Sequence, residues 1–468
     1  MDQSAHGRRT VAGWSVFLLV LGLNVPTAAQ ETPAIKLSES AIGQIEALLA
    51  EKDARTPAQQ KIDSQFIYAT RMRAGSAIAS GVQALDLDVK VDLLGRTDID
   101  VRIAVDDGSI ALVKSLGGEI QGVSVAGNSI LARFPIDSIE LLAADSRVRA
   151  VARPLGATTN QVVADTATAD TAPSARAQRV IGNVVRGAKA LGVETSAFSY
   201  GGEIRAAIPE GDVAHGARAA RAAFGLDGSG LRVCVLSDSF ARRSAGAELA
   251  NDIASGDLPG VGNPNGRILP VQFAGSGEYA GASTVNDEGR AMLQIVHAIL
   301  PGAQLYFATA FNSIADFANN IAAMGGLSTF RGAAVTGTVL SPACHIIVDD
   351  IFYFAESGLH DGQASGVTSS NNMGIVTQAV NDVTAAGVLY FSSAGNSGNL
   401  SDGTSGAWEG DFTVPGGAVP VGIAGTGDAL LWNGVDVGNT ISGTSTSSII
   451  MQWSDPLGGA SNDYDLFR

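Results

Sequence analysis

The chain has 468 residues, more than one ordinary domain holds, so two or three are expected. Its 46% hydrophobic content excludes a disordered chain, and 57 glycines favour an α/β or β protein with many tight turns over a helical bundle. A formal net charge of −16 argues against nucleic acid or an anionic membrane surface as partner.

Residues 1–29 read as a signal peptide. "MDQSAHGRR" is a short basic n-region, "VAGWSVFLLVLGL" an apolar h-region too short for a comfortable span, and "PTAAQ" offers cleavage after Ala29. No later stretch is long and apolar enough to cross a bilayer. The mature protein is therefore expected to be secreted or periplasmic, with no membrane attachment after cleavage.

Residues 30–155 form the next unit. "ESAIGQIEALLAEKDAR" carries apolar residues at helical spacing. From about residue 95 a compact alternation follows. "VRIAV" reads as a strand, "SIALVKSLG" as a helix, "GEIQGVSVAG" and "SILARFP" as a strand pair, "IDSIELLAADSRV" as a helix and "RAVARP" as a last strand. That order is β-α-β-β-α-β, a ferredoxin-like α+β unit over about 95–155. Residues 156–222, rich in Ala, Thr, Ser and Asp, read as a linker with some helix.

Residues 223–400 change to strands alternating with helices. "LRVCVL" is an apolar run suited to a strand buried on both faces. "EGRAMLQIVHAIL", "QLYFATA", "SIADFANNIAAM", "HIIVDDIFYF", "GIVTQAVNDVTAAG" and "VLYFSSAGNSG" continue the pattern. Repeated βα units imply an α/β parallel sheet with helices on both faces. Residues 327–343 interrupt the rhythm and read as an inserted surface loop. Cys234 and Cys344 lie in apolar strands and read as separate buried small hydrophobes rather than a disulfide. Residues 401–468 read as the start of an inserted β-rich module, and "YDLF" one residue from the terminus reads as a truncated strand.

In an open parallel sheet, sites form at the carboxyl ends of strands. Three polar clusters follow the apolar runs here: Ser237-Asp238-Ser239, Asp349-Asp350, and Ser392-Ser393-Ala394-Gly395-Asn396. The helix from Glu288 adds a carboxyl group. At about 100° per residue, Met292, Ile295 and Ile299 fall within roughly 40° of Glu288, which places it on the apolar stripe. Glu288 also has a plain reading, because an acid in the first helical turn suits the helix dipole. His297, about 900° further on, lies on the opposite face and reads as a surface or satisfied histidine.

These residues resemble a family. "GSGLRVCVLSDSF" is similar to the segment carrying the catalytic Asp of subtilisin-like serine peptidases. "EGRAMLQIV" followed by "PGAQL" resembles their histidine-bearing helix, with Glu288 at the histidine position. "VLYFSSAGNSG" resembles their oxyanion turn, with Asn396 as donor. Glu in place of His resembles the sedolisins, which use a Ser–Glu–Asp triad. Two departures stand out. Met292 occupies the place of the sedolisin Asp, and Asn396 that of their oxyanion Asp. The resemblance implies a subtilisin-like peptidase domain over 223–400. It also implies that residues 30–155 are a propeptide serving as the chain's own intramolecular inhibitor, cut away within 156–222.

The resemblance implies Asp238 and Glu288 as catalytic groups and Asn396 as an oxyanion donor. The nucleophile is expected beyond Arg468. Ser445, in "SGTSTSSIIMQW", is a poor candidate because the Ala and Pro of the family motif are absent. Glu288 would take the proton of the serine hydroxyl, with Asp238 orienting it. Two close carboxylates cannot easily both ionise, so one pKa rises and an acidic optimum is expected. Polypeptides are the expected substrates. No cofactor is required. Calcium is compatible with such a fold, but no local run reads as a calcium loop. Two other readings stand beside the peptidase: a catalytically inactive secreted binding protein on the same scaffold, and a hydrolase using Asp349-Asp350 through a metal. The second is weakened by the want of ligand histidines.

Overall fold

The computed structural model describes residues 38–154, 156–159, 205, 209–281, 285–356, 374–396 and 449–453, with isolated positions at 401, 406, 408, 410, 464 and 466. The segment expected to be a signal peptide, most of the expected linker, Ser445 and most of the expected β module lie outside the described residues. Among the described residues no helix is long and apolar enough to cross a membrane.

The N-terminal unit opens with two capped helices. Helix α1 (Glu39–Asp53) starts where the Ser38 hydroxyl accepts the Ala41 amide, and α2 (Ser64–Arg73) where Asp63 accepts the Gln65 amide. Then follow β1 (Arg96–Arg102), α3 (Asp107–Ser115), β2 (Glu119–Ser124), β3 (Ser129–Pro135), α4 (Ile139–Ala144) and β4 (Ala150–Ala152). The strands lie in the order β2-β3-β1-β4, every pairing antiparallel, which is the topology of the split βαβ unit. Strand β1 starts five residues before the apolar run "VRIAV". Thr97, Ile99 and Val101 alternate inward, while the charged Asp98 between them hides the period-2 signal. Ile99, Val101, Val113, Ile130, Ala132, Phe134 and Leu142 close the core, with Phe66 of α2 packed among them.

The second unit runs through α5 (Glu210–Ala214), α6 (Ala217–Phe224), β5 (Arg232–Ser237), α7 (Ala247–Ser255), β6 (Gln272–Phe273), α8 (Glu288–Ile299) and β7 (Gln304–Thr309). It continues through α9 (Ile314–Met324), β8 (Thr329–Phe330), β9 (Ala333–Ala334), β10 (Ile346–Asp349), α10 (Ile375–Ala385) and β11 (Leu389–Ser392). Five strands make a parallel sheet in the order β11-β10-β5-β7-β6. Both faces are covered, as the unbroken apolar strands require. Cys234 and Leu236 of β5 face a cluster with Phe317 and Ile321 of α9 and Ala379 and Val383 of α10. Val233 and Val235 face the other way, against Leu293 of α8 and Ile253 of α7.

Two expectations are corrected. Residues 327–343 are more than a surface loop. Strands β8 and β9 pair as a short antiparallel ribbon, and Phe330 and Leu340 are buried in the core. Cys234 and Cys344 are joined as a disulfide with Cα atoms 6.1 Å apart. Both are buried, as expected, but β10 lies beside β5, and that pairing brings Cys344, two residues before β10, within bonding reach of Cys234.

The two units touch. The turn at Ala126 packs on the second unit's core, and Gly127 lies close to Ile375 at the start of α10. Beyond β4, the chain reaches the parallel sheet, where Thr158 forms an antiparallel bridge with Phe352.

Candidate active site

The chain runs from β5 to β7 on one side and returns to β10 on the other, so the winding reverses at β5. Such a switch point opens a crevice at the carboxyl ends of the strands. Asp238 follows β5 and Asp350 follows β10, so these two carboxylates border that crevice.

Asp238 is 1% exposed, and its carboxylate is committed to backbone. It accepts the amides of Asn286 at 2.6 Å, Glu288 at 2.8 Å and Ser239 at 2.5 Å. It therefore caps α8 from about fifty residues away, offsetting the unpaired amides of the first turn. Asp287, the residue at the cap position, has φ +57° and turns its side chain elsewhere. Its carboxylate accepts the Ser239 hydroxyl at 2.6 Å and the amides of Arg242 at 2.8 Å and Arg243 at 3.0 Å.

Helix α8 packs on a different face from the one its periodicity indicates. Gly289, Leu293 and His297 are buried, whereas Ile295 is exposed. Gly289 decides this. A Cβ there would come within 2.3 Å of the Phe307 ring and 2.8 Å of the Ser239 carbonyl, so only glycine lets the first turn lie this close to β5 and β7. Glu288, one residue earlier, is thereby carried to the crevice as a half-buried group rather than into the core. His297 is fully buried, not on the surface, and lies away from the crevice.

The Glu288 carboxyl is pushed up to about 7, chiefly by burial, then by a hydrogen bond with Asp350, with the charges of Asp350 and Asp238 adding to the rise. The Thr159 hydroxyl acts the other way. Asp350, not Asp238, is therefore its side-chain partner. A carboxyl–carboxylate hydrogen bond needs one shared proton, and a raised Glu288 supplies it near neutrality. The Ser393 hydroxyl donates to Asp350 Oδ1. Asp349, the adjacent residue, points to the opposite side of the strand, where Tyr390 and the Ser392 hydroxyl (2.6 Å) donate to it. Burial raises the Asp349 pKa. Asn396 is exposed and follows Gly395, whose φ of +75° makes the turn.

A stretch of extended chain occupies the crevice. Thr158 donates its amide to the Phe352 carbonyl at 3.0 Å and accepts the Phe352 amide at 2.8 Å. Ala157 packs against the second core, and Thr159 reaches Glu288. The geometry is that of a peptide strand laid antiparallel along the residues after β10, with Thr159 beside the Glu288 carboxyl.

The sequence placed Asp238, Glu288 and Asn396 near one edge of one sheet. It missed Thr159 and the pairing of Glu288 with Asp350. The signal for the latter was the Asp349-Asp350 doublet, since neighbours on a strand face opposite sides and one of them must face the crevice. Among the described residues, no set of three His, Cys, Asp or Glu side chains gathers as a metal site.

No protein-family model and no curated protein matches the chain. Among solved structures it is similar to fervidolysin from Fervidobacterium pennivorans, described as a keratinolytic enzyme related to subtilisin. The TM-score is 0.33 and the identity 13%, with 67% of this chain and 41% of that chain covered. The chain thus spans about two fifths of that structure's length.

Proposed function

We propose that the chain is an exported serine-type endopeptidase precursor of a sedolisin-like kind. The observation that carries this reading is the extended 157–159 segment, paired with Phe352 and reaching the raised carboxyl of Glu288. A peptide seated there brings its backbone to a group able to exchange protons near neutral pH. The Glu288–Asp350 pair takes the proton of the attacking hydroxyl and returns it to the leaving amine. Asp238 fixes the start of α8 and so places Glu288. The Asn396 amide donates to the tetrahedral oxyanion, which is worth roughly 3–4 kcal/mol in enzymes of this chemistry. The N-terminal unit, by delivering the 157–159 segment, keeps the crevice filled until the 156–222 linker is cut. The buried disulfide supports export, because such bonds persist in oxidising compartments.

The test is casein hydrolysis by the full chain, before and after a limited tryptic cut, from pH 3 to 9. Activity released by the cut, with an optimum below neutrality, is expected. An optimum above pH 8, or an unimpaired Glu288→Gln, would sink the reading. One observation favours the inactive binding protein instead: Asp238 is spent on backbone amides. That reading predicts tight peptide capture with no cleavage.

A further inference from the structure

Acyl transfer needs a hydroxyl beside a base, and a third group that orients the base. Such a series exists within the described crevice. Ser393 stands at the end of β11 and is exposed. Its hydroxyl donates to Asp350 Oδ1, and Asp350 is hydrogen-bonded in turn to Glu288. The Ser393 amide donates to the Asp349 carbonyl at 3.1 Å, which extends the ladder between β11 and β10 by one bond and fixes the hydroxyl's origin. The Gly395 turn and Asn396 follow within three residues. Hydroxyl, base and orienting acid thus meet at one edge of the sheet, Asn396 follows the hydroxyl by three residues, and Thr159 of the seated segment touches Glu288.

We infer that Ser393 is the nucleophile, with Asp350 its base and Glu288 the acid that orients Asp350. The inference rests on the peptidase reading for its substrate class. Ser393 Oγ bonds to the carbonyl carbon of the scissile peptide, and its proton passes to Asp350. Collapse breaks the C–N bond, the proton moves to the departing amine, and an ester of Ser393 remains. Water then attacks the ester, gives a proton to Asp350, and releases the carboxylic acid as that proton returns to Ser393 Oγ. The net change is one peptide and one water to one acid and one amine.

The experiment uses the full chain with a biotinylated fluorophosphonate, before and after a limited tryptic cut, and locates the adduct by peptide mass spectrometry. The expected result is a single adduct on Ser393. It is absent from Ser393→Ala, slowed at least tenfold in Asp350→Asn and unchanged in Ser445→Ala. A parental melting temperature for Ser393→Ala separates lost chemistry from lost folding. If that variant unfolds, Ser393→Cys is tested with iodoacetamide, and alkylation faster than that of a free thiol supports the assignment. Casein cleavage by folded Ser393→Ala at the parental rate overturns the nucleophile and leaves the peptidase reading standing. An adduct on Ser393 without casein cleavage keeps the activated hydroxyl and overturns the peptidase. Neither adduct nor cleavage overturns both.

Discussion

The two sheets treat their carboxylates in opposite ways. Around the antiparallel sheet, acids meet arginines: Asp98 with Arg133 at 2.7 Å, Asp63 with Arg153 at 2.7 Å, Asp100 with Arg102 at 2.9 Å and Asp145 with Arg147 at 2.9 Å. The Arg147 guanidinium and amide hold the Asp145 carboxyl down at about 2. At the carboxyl edge of the parallel sheet, Asp238, Glu288, Asp349 and Asp350 meet hydroxyls, backbone amides and one another, and Glu288 and Asp349 are raised. The first arrangement keeps charges solvated and paired, which suits a surface. The second keeps a proton available near neutrality, which suits chemistry.

The largest effect expected from breaking this contrast is on rate. Glu288→Gln removes the shared proton but keeps the shape of the side chain. Hydrolysis by the cut chain should fall about a hundred- to ten-thousand-fold. Casein assays at pH 5 and 7 read the loss, and a change below threefold would place Glu288 outside the chemistry.

Next in size is the covalent link that the parallel sheet has and the antiparallel one lacks. The Cys234–Cys344 bond closes a loop across a sequence separation of 110. Replacing both residues by Ala should cost about 2–4 kcal/mol, confined to the second unit. Urea melts followed by hydrogen exchange in each unit check this. Equal loss in both units would show that they unfold as one body.

Much of this contrast was legible in the sequence, but unevenly. The parallel sheet announced itself through "LRVCVL" and "QLYFATA", because strands buried on both faces need continuous apolar runs. Strand β1 was half hidden by Asp98, whose arginine partner comes from β3, and by Asp100, which pairs with Arg102 of the same strand. Glu288 reaches the crevice, but not for the reason its periodicity gave. The apolar stripe through Ile295 is not the packed face, and Gly289 sets the approach instead. The Asp350 pairing and the Cys234–Cys344 bond were not legible, because both depend on β10 crossing to lie beside β5, and strand order is not written in local periodicity.

A smaller effect is the pH dependence of stability. The Glu288 pKa rises from 4.5 to about 7 on folding. The folded state then binds the proton more tightly, so the stabilisation is complete below about pH 4.5 and is lost as pH rises through about 7. The group is half exposed, so solvent screening reduces the full linkage value to about 1–2 kcal/mol. Urea midpoints should fall from pH 4 to 8, and Glu288→Gln should flatten the slope. Asp349 shifts in the same direction, so part of the slope should survive. A midpoint that rises over this range would contradict the raised pKa.

The smallest effect is the mirror image on the other sheet. Arg133 and Asp98 are direct cross-strand partners, joined by two bonds of 2.7 and 2.9 Å, with side chains 33% and 40% exposed. A pair this exposed contributes about 0.2–1 kcal/mol. Arg133→Ala should lower the N-terminal unit's stability by that amount, and 1 M salt should erase most of the difference, since screening there acts within about 3 Å. Removing charge at Glu288 should have the opposite sign above pH 7, where the parent must hold an ionised carboxyl beside Asp350. If both substitutions destabilise at pH 8, the division between paired surface charge and proton-holding edge does not hold. If the signs differ, the two sheets of one chain use the same residue type for opposite ends: one to bind an arginine, the other to keep a proton.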